Sequence, residues 1–292
     1  MAEHIAMNAL VYDGVMPRTY LAHLRVNGFQ LDQILLVTKR RGLNAPWLRG
    51  LNRWYANRAQ AAAAMYWPKQ LTKLHPQLHQ AMTREIAGCH DLPADFYASL
   101  MDGFDYADHA RNLIEVEADD LRDPALKAAF DALPEYPILF TGGGIMPDAL
   151  VSDPKRPVLH VHPGILPAIR GADGLLWSTA VLGHPTASCF VMANGIDTGA
   201  VLATAEFPAL TFAAKAEKRP DPKALYRLLY AYYDPVLRAK LLTDVIKRST
   251  ARGLLPAIAQ AAPQNLTEGR TYNFMHDTLR NAVLERIFPS VA

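Results

Sequence analysis

Three side chains able to move protons are gathered between Val158 and Leu202. His160 and His162 stand one residue apart, and Asp197 sits in the glycine-flanked turn Gly195, Ile196, Asp197, Thr198, Gly199. Histidine titrates nearest neutrality, and a carboxylate within reach would orient the ring and raise its pKa by favouring the charged form. The same set would offer three N/O ligands, the number used by catalytic zinc sites. Nothing further supports that reading, since the chain has neither a His-Glu-x-x-His element nor a Cys-x-x-Cys pair, and no metal is expected. Two strand-end histidines satisfied by backbone are the plain alternative, which the nearby aspartate disfavours.

The elements that must carry these groups can be read from periodicity. Residues 157–162 alternate apolar side chains with the two histidines, as a strand does, and positions two apart share a face, so His160 and His162 should project into one pocket. Pro163 has no N–H to donate and should end the ladder. From Asp173 to Leu182 the apolar spacing predicts a helix, stopped by Gly183, His184 and Pro185. Ala187 to Met192 reads as a second strand leading to the Asp197 turn. Upstream, Ile138 to Pro147 reads as a buried strand that breaks into a glycine-rich loop.

His162-Pro163-Gly164-Ile165-Leu166-Pro167-Ala168-Ile169-Arg170-Gly171, followed by the Asp197 turn, resembles the core of the 10-formyltetrahydrofolate-dependent formyltransferases. The resemblance implies His162 as a catalytic histidine for oxyanion stabilisation and proton transfer. It implies Asp197 as the catalytic aspartate, orienting His162 and relaying a proton. His160 stands where the family has asparagine, and Gly164 where serine is common. A neutral imidazole can donate one hydrogen bond, so His160 is expected to replace the amide as an oxyanion donor. Gly144, Ile145 and Met146, aligned through Pro147, with Gly195 and Ile196, fall on the folate side. Arg170 and Gly171 fall on the acceptor side, Arg170 either binding a substrate anion or pairing with a surface carboxylate. Formyl transfer is acyl transfer to an amine, in which a well-placed donor to the developing oxyanion is worth about 3 kcal/mol. The implied donor is 10-formyltetrahydrofolate, and the expected acceptor is an amine on a small molecule, an amino sugar or modified amino acid. A formylfolate hydrolase and a catalytically silent folate-binding protein are the alternatives.

The rest of the chain fits such an enzyme. Its 292 residues, half of them hydrophobic, can bury a sizeable core. No basic start precedes an apolar run and no apolar run approaches 18 residues, so neither a secretory signal nor a membrane span is expected. Cys89 and Cys189 are too few for a disulfide framework, and a cytoplasmic setting is expected. Residues 9–12 and 33–38 read as strands around a helix over 17–27, the opening of a Rossmann-like, mostly parallel α/β sheet flanked by helices. A catalytic domain over 1–208, with a helical insertion near 42–90, would precede a mainly helical extension over 209–292.

Between Asp32 and Glu85 there is no acidic residue, while Lys39, Arg40, Arg41, Arg49, Arg53, Arg58, Lys69, Lys73 and Arg84 fall there, interleaved with Trp47, Trp54, Tyr55 and Trp67. Most of these read as a solvated helical face with core aromatics. The face carrying Arg53 and Asn57 is the place to look for acceptor contacts. Residues 222–259 show helical spacing without the alternation of a β-rich module, so a tRNA acceptor is not expected. Residues 262–276 read as a loop folding back onto the domain, with His276 structural. The oligomeric state is open, a homodimer being compatible with the sequence.

Overall fold

The computed structural model describes residues 2–39, 63–101, 103–213, 220–249 and 253–289. The chain opens with β1 (Glu3–Tyr12), α1 (Val15–Val26) and β2 (Phe29–Thr38), a parallel β-α-β unit. Gly28, at φ +83°, makes the left-handed step out of α1, which a side chain would oppose. Alternation in β1 divides the core. Ile5, Met7, Ala9 and Val11 pack in one cluster with Tyr20, Leu21 and Leu24 of α1, and Leu10 packs in the other with Leu35, Phe130 and Val158.

Five further strands complete the main sheet: β3 (Ala110–Glu117), β4 (Ile138–Phe140), β5 (Val158–His162), β7 (Thr186–Val191) and β8 (Val201–Glu206). The order is β3-β2-β1-β4-β5-β7-β8. Strands β1 to β5 pair in parallel, and β7 and β8 are antiparallel to their neighbours. The sheet is therefore Rossmann-like and mostly parallel. Chain direction across it reverses between β1 and β4, the kind of place where α/β sheets open a ligand crevice at their carboxyl ends. A second, two-stranded sheet pairs β6 (Ile169–Gly171) with β9 (Arg270–Tyr272) in parallel. Residues 270–272 were expected in a loop; three residues are too few for alternation to declare a strand.

Described helices of the basic region are α2 (Tyr66–Leu74) and α3 (Pro76–Cys89). On the second face of the sheet, α4 (Pro124–Asp131) starts at Asp123, whose carboxylate accepts the Ala125 N–H at 2.9 Å. Helix α5 (Gly174–Leu182) runs as its spacing predicts, from Asp173 in the left-handed region to Gly183. The strand expected over 187–192 lies one residue earlier.

The 222–249 segment is helical as read. Helix α6 (Pro222–Leu228) is capped by Asp221 and continues through a π-helical turn, Leu229–Tyr233, into α7 (Asp234–Ser249). This segment does not stand apart: Leu237, Leu241 and Val245 of α7 share the cluster that holds α1 and β1, so residues beyond 208 form a layer of the same core. Helix α8 (Asp277–Ile287) follows, with His276 accepting the Thr278 N–H at its start. No described helix is long and apolar enough to cross a membrane.

Candidate active site

A cavity of about 570 Å³ opens at the carboxyl ends of β4 and β5. One wall is the loop after β4, with Gly144 at φ +96°, Met146 buried and Ile145 exposed. Across from it run residues 192–197 and 271–274, and the floor carries His160, His162, Tyr230 and Arg238. Of the residues singled out in the sequence, Gly144, Ile145, Met146, His160, His162, Gly171, Gly195, Ile196 and Asp197 all line it. Arg170 does not. Its guanidinium donates to the carbonyl oxygens of Pro167 and Glu268, each at 3.0 Å, and so ties the β6 loop to the chain before β9. Among the described residues no carboxylate forms an ion pair with it, in place of the surface pairing expected as one of its two roles. Its neighbour Gly171, at φ +91°, is glycine because a Cβ there would overlap the carbonyl oxygen of Tyr272.

His162 is held at both ring nitrogens. Nε2 lies 3.0 Å from the Ile169 carbonyl oxygen, which can only accept, so Nε2 carries a hydrogen. Nδ1 faces Asp197 Oδ2 at 3.3 Å, and the same oxygen accepts the Gly171 N–H at 2.8 Å. Asp197 itself has φ +54°, and its turn is pinned where the Gln264 amide donates to the carbonyls of Asp197 and Gly199. The carboxylate was expected to raise the His162 pKa. Burial outweighs it: His162 falls to about 3, with the Arg238 charge adding to the fall, and burial also raises Asp197. Both shifts run against charge on the pair, and with its hydrogen on Nε2 the His162 ring turns the Nδ1 lone pair toward the Asp197 carboxyl group.

His160 is oriented differently. Its Nδ1 lies 3.0 Å from the Phe140 carbonyl oxygen, so Nδ1 donates, and the neutral ring leaves a lone pair at Nε2. Burial, with Arg238 next, lowers its pKa to about 4. The ring sits between Phe140 and Phe190, centroids 6.0 and 5.9 Å away. A neutral His160 so placed has no N–H for an oxyanion, which removes the expected donor role.

Several residues of the site were not singled out beforehand. Arg238, half of an ion pair with the fully buried Asp234 at 2.7 Å, also donates to the Val161 carbonyl. The signal was present: Asp234 and Arg238 lie four apart on the stripe of α7 that also carries Leu241 and Val245. Asp173 is buried and accepts from Tyr226 and Tyr230 hydroxyls at 2.7 and 3.2 Å and from the Met275 N–H at 2.8 Å. That last bond holds the 271–274 wall, where Tyr272 packs on Trp177 at 4.5 Å and Phe274 stands 78% exposed. Ser188 accepts the Leu166 N–H and donates to the Gly164 carbonyl, fixing the loop after His162. Of the basic stretch, Arg53 and Asn57 lie outside the described residues, and Lys39, Lys69, Lys73 and Arg84 do not line this cavity. Trp67 packs instead against the Arg227 guanidinium, 3.4 Å from the ring centre.

Comparison with known families gives a match to the model described as "Formyl transferase", over residues 69–218, just over half of the chain. The chain belongs to the formyl transferase family. The matched span holds His160, His162, Gly171 and Asp197, and it ends before Arg238 and the 271–274 wall. Among curated relatives of this formyl transferase is the methionyl-tRNA formyltransferase of Synechococcus sp. (strain JA-3-3Ab), 37% identical over 89 residues, which are 30% of this chain and 28% of the relative. The chain thus matches under a third of that relative's length. Among solved structures, a sugar N-formyltransferase from Shewanella sp FDAARGOS_354 superposes with TM-score 0.45 at 13% identity, over 97% of this chain and 88% of that one. The formyltransferase PseJ from Anoxybacillus kamchatkensis, in complex with UDP-4,6-dideoxy-4-formamido-L-AltNAc and tetrahydrofolate, superposes with TM-score 0.35 at 16% identity, over 56% and 76%.

Proposed function

We propose that this formyl transferase moves a formyl group from 10-formyltetrahydrofolate to an amine of a small molecule. The observation that carries the reading is the Asp197–His162 pair, 3.3 Å apart at the floor of a cavity whose rim is open backbone and apolar side chains. The donor fits the chain's residues. Phe140, Met146, Phe190 and Met192 offer apolar surface for a flat ring, and a Cβ at Gly143 or Gly144 would meet nothing within 4 Å, so the loop leaves room for close approach. When bound, the folate supplies an activated formyl carbon on a nitrogen leaving group.

The residues divide the remaining work. Asp197, partly open to the cavity and aimed by the Gly171 N–H, with His162 beside it, gives a proton to the departing nitrogen, and the proton lost by the attacking amine restores the pair. The bond from His162 Nε2 to Ile169 keeps the ring in the one tautomer that can do this. Residues 271–274 line the side assigned to the acceptor. The names of the curated relatives favour a second reading, methionyl-tRNA as acceptor. Against it stands the absence, among the described residues beyond 206, of any β-rich module.

The test is release of tetrahydrofolate on mixing the protein with 10-formyltetrahydrofolate alone, with a panel of amino sugars and amino acids, and with methionyl-tRNA. Asp197→Ala and His162→Ala serve as controls. Amine-dependent release abolished by both substitutions is the expected result. Release that needs only methionyl-tRNA would replace the small-molecule acceptor, release without acceptor would make the protein a hydrolase, and binding without turnover would make it silent.

A further inference from the structure

Two histidines at the same cavity floor have opposite bonding. His162 spends both ring nitrogens on the protein, whereas His160 Nε2 makes no hydrogen bond to any described residue and is open to the cavity. We propose that His160 Nε2 is the proton acceptor for the attacking amine, a catalytic base that takes the place of an amide donor and leaves the Asp197–His162 pair to act as the acid. This deepens the formyl transfer reading and rests on it.

A carbonyl oxygen cannot donate, so Phe140 O fixes the hydrogen of His160 on Nδ1, and Nε2 then presents only a lone pair. The charged and titratable groups facing the ring are Arg238 from α7, Asp197 from the 195–199 turn and His162 on its own strand. Arg238 is fixed there by the Asp234 carboxylate and the Val161 carbonyl, and its permanent charge, added to burial, keeps the ring unprotonated at neutral pH. An amine that attacks must lose one proton, and the His160 Nε2 lone pair is an acceptor for it at the cavity floor.

The step balances as follows. The amine nitrogen bonds to the formyl carbon and its proton goes to His160 Nε2. The bond from that carbon to the folate nitrogen breaks, its electron pair stays on the nitrogen, and the Asp197–His162 pair supplies the proton there. Passage of a proton from His160 back to the pair restores the start. Arg238 is a positioning residue in this scheme.

The experiment has two independent readouts. In protein labelled with ¹⁵N in its histidine rings, long-range ¹H–¹⁵N spectra report the tautomer of each ring, with His160→Asn locating the signal of His160. A neutral ring protonated on Nδ1 at pH 6–8 is expected; a ring protonated on Nε2, or charged, overturns the proposal whatever the activity. Single-turnover rates with 10-formyltetrahydrofolate and hydroxylamine as probe amine are then compared with binding of tetrahydrofolate by calorimetry. His160→Asn and His160→Gln are expected to bind tetrahydrofolate within threefold of wild type and to react about 100-fold more slowly. Their reacting within threefold of wild type overturns the base role. A wild-type protein that fails to bind tetrahydrofolate overturns the formyl transfer reading instead, a separate and recognisable failure.

Discussion

Replacing Asp173 by alanine should loosen the cavity wall and the fold together, by an amount the structure allows one to work out. The carboxylate accepts three bonds, from Tyr226, Tyr230 and the Met275 N–H, and the residue sits at φ +53°. A hydrogen bond to a charged acceptor contributes about 1.5–3 kcal/mol, but three that share one carboxylate do not add in full. Placing alanine in the left-handed region costs about 1 kcal/mol more. The expected loss is about 3–5 kcal/mol, or roughly 5–8 °C in Tm for a chain of this length. Asp173→Asn tolerates the backbone and still accepts from the tyrosines, but sets an amide against the Met275 N–H, so about 2 kcal/mol should be lost. Tyr226→Phe removes one bond of a half-buried hydroxyl and should cost about 1 kcal/mol. The assay is urea unfolding followed by circular dichroism, with limited proteolysis of residues 262–276 as the local readout. If Asp173→Ala falls within about 1 kcal/mol of wild type, or if alanine and asparagine behave alike, the carboxylate does not hold this wall.

Further outcomes are expected. Ser188→Ala, by stranding the Leu166 N–H and the Gly164 carbonyl, should destabilise the protein by about 1–3 kcal/mol in the same unfolding assay. Gly171→Ala should cost more than 2 kcal/mol, because the added Cβ meets the Tyr272 carbonyl and φ is +91°; unfolding unchanged by it would contradict the β6–β9 pairing. Stability should also fall on acidification. His23, His90, His109 and His160 titrate at about 4 and His162 at about 3 because burial disfavours their charge. Below about pH 6.5 the unfolded chain therefore binds protons that the native state refuses, and each ring removes up to about 1.4 kcal/mol per pH unit until its native pKa is reached. Asp197 and Asp234, both raised by burial, act in the opposite sense and offset part of this. The urea midpoint is expected to drop clearly between pH 7 and pH 5, and a flat profile over that range would refute the burial of these rings.

The residues that could be read from sequence were those whose role follows from local spacing. His160 and His162 share a strand face because side chains repeat every two residues, and Asp197 stands out in its turn because glycines flank it. What escaped reading depended on packing between distant segments. Arg238 was not singled out: its spacing from Asp234 hints at a pair on one helix face, but that the face is buried over the cavity depends on the packing of α7 on the sheet. Arg170 was expected to bind an anion or a surface carboxylate because its partners here, the carbonyls of Pro167 and Glu268, are invisible as residue types. The pKa of His162 was expected to rise from the presence of a carboxylate, yet desolvation, which belongs to the assembled core, decided its direction. Which ring nitrogen of His160 carries hydrogen was likewise set by a backbone oxygen on another strand.

The clasp of Gln264 on the Asp197 turn places the site late in the life of the chain. Sixty-five positions separate Gly199 from Gln264, and at ribosomal rates they take roughly 3–13 s to synthesise. During that interval the histidines and the aspartate exist, but the turn lacks its clasp and the wall at Thr271–Phe274 has not emerged. A nascent chain in that state has no enclosed cavity in which to capture folate. The cofactor then cannot template folding of the first two hundred residues, and the sheet must assemble on its own apolar contacts before any ligand can stabilise it.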